Sequence, residues 1–201
     1  MESADLSRRS LLQAIGVIIA SAATPLGWTD IAHAMDGMHV GTPAVADPKL
    51  TFFNASEAAD VEAVAAQIVP TDDSPGAREA GAVYFIDRAL ATFFSQLAGD
   101  YRSQLAAFQS EFRKQHAGSA SFASLSSDQQ IGYLKGIDKT PFFNTTRLLT
   151  LLGMFSLPSY GGNRDSVGWK LIGFEDAHVF QPPFGYYDRD YPGFVIPLKP
   201  Q

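Results

Sequence analysis

Tyr101-Arg102-Ser103-Gln104-Leu105-Ala106-Ala107-Phe108-Gln109-Ser110-Glu111-Phe112 sets its large apolar side chains at 101, 105, 108 and 112, with small or polar residues between them. Steps of four, three and four return side chains to one face of an α-helix, and such a stripe has to be covered by other elements. The same period recurs on both sides. Upstream, Val61, Val64, Ala65 and Ile68 make one helical face, opened by Asn54 with Glu57 three residues on and stopped at Pro70. Val83, Ile86, Leu90, Phe93, Phe94 and Leu97 form the buried stripe of a long helix expected over about Ala77–Ala98 and closed by Gly99. Downstream, Gly118 ends the Tyr101 helix and a Ser-rich turn follows. Ser126 with Gln129 then opens a short helix through Ile131 and Leu134. Pro141 starts a helix apolar nearly all round, with Phe142, Phe143, Leu148, Leu149, Leu151, Leu152 and Phe155, so it is expected at the centre; Pro158 stops it. No alternating strand pattern persists. The pattern predicts an all-α fold of about five helices.

From Ser156 the character changes. The remaining stretch holds nine aromatics, six prolines and six glycines without a sustained period. It reads as an irregular Pro/Gly/aromatic-rich C-terminal arm from about 156, lying on the helical body or on another protein.

At the other end, Ser7-Arg8-Arg9-Ser10-Leu11-Leu12 precedes a stretch from Ser10 to Thr29 that carries no charge, and Ala32-His33-Ala34 offers a small-x-small cleavage site. Basic end, apolar core and small-residue site are the parts of an export signal, and the Arg8-Arg9 pair points to the twin-arginine route. Leu11 and Gln13 stand where that pattern carries Phe and Lys. A retained membrane anchor is the competing reading, since 20 uncharged residues just suffice to span a bilayer. Pro25 and Gly27 break the second half of the run, which favours the removed signal. The expected organisation is a signal at 1–34, a Gly/Pro-containing linker at 35–50 and a helical domain at 51–201.

The full chain has 201 residues and a net charge of −6. An acidic chain without a basic run is a poor nucleic-acid partner, because phosphate contacts need clustered Lys and Arg. With no cysteine, disulfides, thiol catalysis, iron–sulfur ligation and covalent haem attachment are excluded on this chain. His33 falls in the leader, and His39, His116 and His178 share no ligand-like spacing, so no metal site is expected.

The densest polar stretch is Asp72-Asp73-Ser74-Pro75-Gly76-Ala77-Arg78-Glu79. Its carboxylates could serve as acid and base or hold a hard cation. The structural alternative is a capped helix start, acids near the positive end of the dipole and Arg78–Glu79 as a local ion pair. It is favoured because no His or further acid lies at catalytic spacing. Asp87-Arg88 reads as a surface or buried structural pair. Tyr160-Gly161-Gly162-Asn163 lacks the G-x-G-x-x-G and G-K-[ST] patterns of phosphate loops and reads as a turn needing positive φ. No Ser sits in G-x-S-x-G. Trp169 reads as an aromatic anchor in the core or at an interface.

Three stretches together resemble the gluconate 2-dehydrogenase subunit 3 family, the small (gamma) subunits of membrane-bound flavin dehydrogenases. They are the leader at Ser7-Arg8-Arg9; Ile68-Val69-Pro70-Thr71-Asp72-Asp73-Ser74-Pro75-Gly76-Ala77-Arg78-Glu79-Ala80-Gly81, continuing to Phe85-Ile86-Asp87; and Tyr160-Gly161-Gly162-Asn163 with Gly168-Trp169 and Ile172-Gly173-Phe174. The resemblance implies a non-catalytic subunit with no cofactor of its own. Its partners would be a large FAD-binding subunit that oxidises a sugar or sugar acid and a multihaem cytochrome c subunit. It further implies a periplasmic complex, with this chain as folding partner and escort through the twin-arginine translocase. The aromatic arm from Tyr160 to Tyr191 is expected to touch the large subunit, with Trp169 and Tyr186 or Tyr187 as anchors, so that cutting the chain after Leu157 would leave the helices folded. The alternative reading is a free-standing periplasmic hydrolase or isomerase using Asp72, Asp73 and Arg78.

Overall fold

The computed structural model describes residues 49–176. The leader with Arg8 and Arg9, nearly all of the linker, and the arm beyond Asp176 with Tyr186 and Tyr187 lie outside the described residues. Within them the fold is all-α: α1 (Ala55–Ile68), α2 (Ala82–Ala91), α3 (Ala98–Gln115), α4 (Ser127–Ile137), α5 (Pro141–Phe155) and α6 (Val167–Ile172). None of these helices is long and apolar enough to cross a membrane.

Local chemistry explains the boundaries. Asn54 Oδ1 accepts from the Glu57 amide and Glu57 Oε2 accepts from the Asn54 amide, both at 2.9 Å, so the capping box opens α1. Val69 leaves the helical conformation before Pro70, at φ −127° and ψ 86°, and closes it. Ser126 and Gln129 cap α4 in the same way. Pro141 occupies the first turn of α5, where its missing N–H has no partner to lose, and the Thr140 hydroxyl accepts from the Phe143 amide.

α5 is the central element, packed against α1, α2, α3 and α6, with its most extensive contact on α2. The Tyr101, Leu105, Phe108 and Phe112 stripe of α3 is buried throughout. Phe108 stacks on Phe142 at 4.5 Å between ring centroids and meets Phe122 and Tyr133 edge-on at 5.4 and 5.8 Å. Truncating such a ring to Ala costs about 3–5 kcal/mol.

Three sequence expectations are corrected. The long helix Ala77–Ala98 is only α2. Gly81, at φ 66°, breaks the chain just before it, because the residues ahead of Gly81 are tied to the end of α1: the Ala77 amide donates to Val69 O at 2.8 Å. After Ala91 the chain makes a tight turn, with the Phe94 amide donating to Ala89 O at 2.7 Å, and a 3-10 turn at Ser95–Leu97. That turn keeps Phe94 and Leu97 inward, so the apolar period runs on across a break in the helix. Gly99 therefore lies in the first turn of α3 instead of ending α2. Ile131, expected on the apolar face of α4, is exposed, while Gln130 beside it is buried and bonded to the Phe122 and Leu125 carbonyls and to Gln67.

The arm expected from about 156 is also more regular up to Asp176. Pro158–Tyr160 and Arg164–Ser166 form 3-10 turns, and α6 follows, docked on α5.

Candidate functional site

The two chemically distinctive stretches converge on the crossing of α2 and α5. The crossing is close because Gly153 has no side chain: a Cβ there would stand 3.1 Å from Phe85 Cβ and 3.2 Å from Ala82 Cα. The stretches are joined by a hydrogen bond from the Arg164 amide to Ala80 O at 3.0 Å. The Arg164 guanidinium lies 5.3 Å over the Tyr84 ring, a cation–π contact.

In the first stretch, Asp72 Oδ1 accepts from the Ser74 amide at 2.8 Å and its hydroxyl at 2.9 Å, closing a turn. Those two bonds, the backbone one foremost, hold the Asp72 carboxyl below its ordinary pKa. Glu79 Oε2 accepts from the Thr71 hydroxyl at 2.6 Å and the Gly76 amide at 2.8 Å. The Thr71 bond is the main cause that lowers the Glu79 pKa. Asp73 is exposed. Arg78 faces Glu62 of α1 at 3.9 Å in solvent, a pair worth little, and not Glu79 as a local ion pair would require. Asp72 and Arg78 thus engage different partners, and the acids cap a loop instead of the start of α2.

In the second stretch Asn163 and Trp169 serve the C-terminal end of α5, whose last carbonyls have no partner within the helix. The Asn163 amide donates to Gly153 O at 2.7 Å, and Asn163 Nδ2 donates to Ser156 O at 2.8 Å. Asn163 Oδ1 accepts from the Gly168 amide at 2.9 Å. Trp169 Nε1 donates to Phe155 O at 2.8 Å. Asn163 holds φ 44°, a left-handed conformation that Asn tolerates better than most residues. Trp169 is 9% exposed and turned into its own chain, with Phe174 edge-on to it at 5.1 Å. Leu157, Leu171 and Phe174 are exposed.

Asp87 and Arg88 do not pair with each other. Arg88 Nη1 donates to Ser159 O at 2.7 Å, holding the 3-10 turn that follows α5. Asp87 is buried and accepts from Thr51, Phe52 and Phe53. Three further polar contacts were not foreseen from sequence. Asp60 joins Gln109 of α3 to the Ala123 amide; Gln67 meets Gln130; and the Tyr101 hydroxyl lies 2.9 Å from Thr146 Oγ1. The available signal was a polar residue in a buried register: Asp60 adjoins Val61, and Asp87 lies between Val83 and Leu90 on their face. Among the described residues no three His, Cys, Asp or Glu side chains gather closely enough to hold a metal ion.

No curated protein and no solved structure gives a significant match to the chain. One family does match, over residues 55–176, more than half of the 201 residues, and that span contains the α2–α5 crossing and the whole of both stretches that meet there. The chain belongs to the family described as gluconate 2-dehydrogenase subunit 3.

Proposed function

We propose that this chain is the non-catalytic small subunit of a periplasmic, flavin-dependent sugar or sugar-acid dehydrogenase complex. In this reading it escorts a large FAD-binding subunit through the twin-arginine translocase and stays as its structural partner, while a cytochrome c subunit carries the electrons away. Family membership over residues 55–176 is the observation that carries the reading. The use of the distinctive residues agrees with it: Asp72, Glu79, Asn163 and Trp169 each bond the chain's own loops or helix end. The Arg8-Arg9 leader supplies the export step, with removal after Ala34. Leu171 and Phe174, exposed beside Trp169, continue in sequence into the aromatic arm with Tyr186 and Tyr187, which we assign to the large subunit's interface.

The test is to tag the full chain in its native host, fractionate the cells and identify what co-purifies. A flavoprotein lacking a leader of its own is expected with the periplasmic form, and the Arg8→Lys/Arg9→Lys variant should strand both in the cytoplasm. Purification of the chain alone would overturn the subunit reading; a periplasmic double variant would overturn the route.

A further inference from the structure

The chain enters its folded body through Thr51-Phe52-Phe53, and these residues are held by one side chain. Asp87, on α2 and 2% exposed, accepts from the Thr51 amide at 2.8 Å and its hydroxyl at 3.0 Å through Oδ2. Its Oδ1 accepts from the Phe52 amide at 2.9 Å and the Phe53 amide at 2.7 Å. Successive backbone N–H groups turned to one point make a concave anion site, filled here by the protein's own carboxylate. Arg102 of α3 closes the other side. It donates to Phe52 O at 2.6 Å, lies 4.3 Å over the Phe52 ring and pairs with Glu57 at 3.0 Å. Phe53 is buried against Tyr101, their centroids 6.0 Å apart.

This clasp needs α1, α2 and α3 at once. Asp87 supplies the acceptor, Arg102 the second clamp, and the capped start of α1 sets the strap's direction. Charged hydrogen bonds to backbone N–H are stronger than neutral ones, and a buried carboxylate stripped of them would be left without compensation. We propose that Asp87 is a latch. It ties residues 51–53 to the body only once α1, α2 and α3 have assembled, so that the first 50 residues leave from one fixed point of a finished fold. The latch opens as a local unit, without unfolding of the body. It holds whatever role the first 50 residues have, and so stands apart from the export reading.

Hydrogen exchange and limited chymotrypsin digestion on the full chain test it. In the unsubstituted protein the amides of Phe52 and Phe53 should be protected, but less than those of Phe85 and Leu149. Asp87→Asn keeps the shape but sets an NH2 group opposite a backbone donor. It should raise exchange at 51–53 and cleavage after Phe52 and Phe53 by roughly tenfold or more. Exchange at 51–53 should depend only weakly on added urea, as a local opening exposes little surface, while exchange at Phe85 and Leu149 keeps the steep urea dependence of full unfolding. Thr51→Val, which removes one of the four bonds from the strap side, should raise the same rates a few-fold; it serves if Asp87→Asn does not fold. Free-peptide exchange at 51–53 in the unsubstituted protein would overturn the latch. So would exchange at 51–53 that rises with urea as steeply as at Phe85 and Leu149, or substitutions that leave the strap's exchange and cleavage unchanged.

Discussion

The carbonyl oxygen of Gly153 occupies the place that a side chain on Gly162 would need. One glycine is the last turn of α5 and the other belongs to the turn folded back over it, so two backbones meet with no side chain between them.

Gly162→Ala should therefore destabilise by about 1–3 kcal/mol or prevent folding, because the clash is with backbone, which moves least. Gly132 and Gly136 give the opposite sign. Both are helical and exposed in α4, and a Cβ at either meets nothing within 4 Å. Ala at each should stabilise by roughly 0.5–1 kcal/mol through the entropy of the unfolded chain. Urea unfolding of the three variants measures the contrast, and a neutral Gly162→Ala would contradict the packing.

Asn163→Asp should cost about 1–3 kcal/mol although it changes a single atom. The amide NH2 that donates to Ser156 O becomes an oxygen facing an oxygen, while the acceptor for the Gly168 amide survives. Chemical denaturation at neutral pH is the check.

Burial pushes the Tyr101 hydroxyl well above its ordinary pKa of 10.0, against a smaller opposing effect from the Thr146 hydroxyl. Below pH 10 both folded and unfolded forms keep the proton and the residue contributes no pH dependence. Above it the unfolded chain gives up a proton that the folded one retains, so stability falls as pH rises. Tyr101→Phe should lose roughly 1 kcal/mol at neutral pH by orphaning Thr146, yet show a shallower alkaline decline. Thermal melts from pH 8 to 11 on both proteins decide this; parallel curves would refute it.

Two truncations separate body from arm. Ending the chain after Leu157 removes Asn163 and Trp169 from the Gly153, Phe155 and Ser156 carbonyls and should destabilise the whole fold, contrary to the expectation from sequence that the helices would stand alone. Ending it after Asp176 keeps those bonds and should leave the described helices folded, while co-purification of the large subunit of the proposed complex is lost. If the second truncation still retains the partner, the interface lies on the body.

Apolar periodicity exposed the helices that lean on one another, with α3 the plainest case, and the capping pairs Asn54–Glu57 and Ser126–Gln129 marked two helix starts. Periodicity could not show the break after Ala91. A tight turn followed by a 3-10 turn leaves Phe94 and Leu97 on the inner side just as a continuing helix would. The polar clamps were harder to see, since Asp60 needs Gln109 and the Ala123 amide, and Asp87 needs Thr51–Phe53, partners far away along the chain. In Tyr160–Asn163 the need for a left-handed turn was visible from its residues. That the turn caps α5 was not, because it depends on where α5 ends in space.

The Arg164–Ala80 bond has a bearing on timing. The ribosome makes α1 and α2 first, but the helix that α2 packs against most, and the turn that fastens onto Ala80, are among the last described parts to be made. Early helices therefore wait with their apolar faces uncovered until Gly153 to Trp169 have emerged. Any cellular factor that recognises the closed α2–α5 crossing is in effect checking that translation has passed Trp169, and nascent fragments ending earlier would present it with an open face.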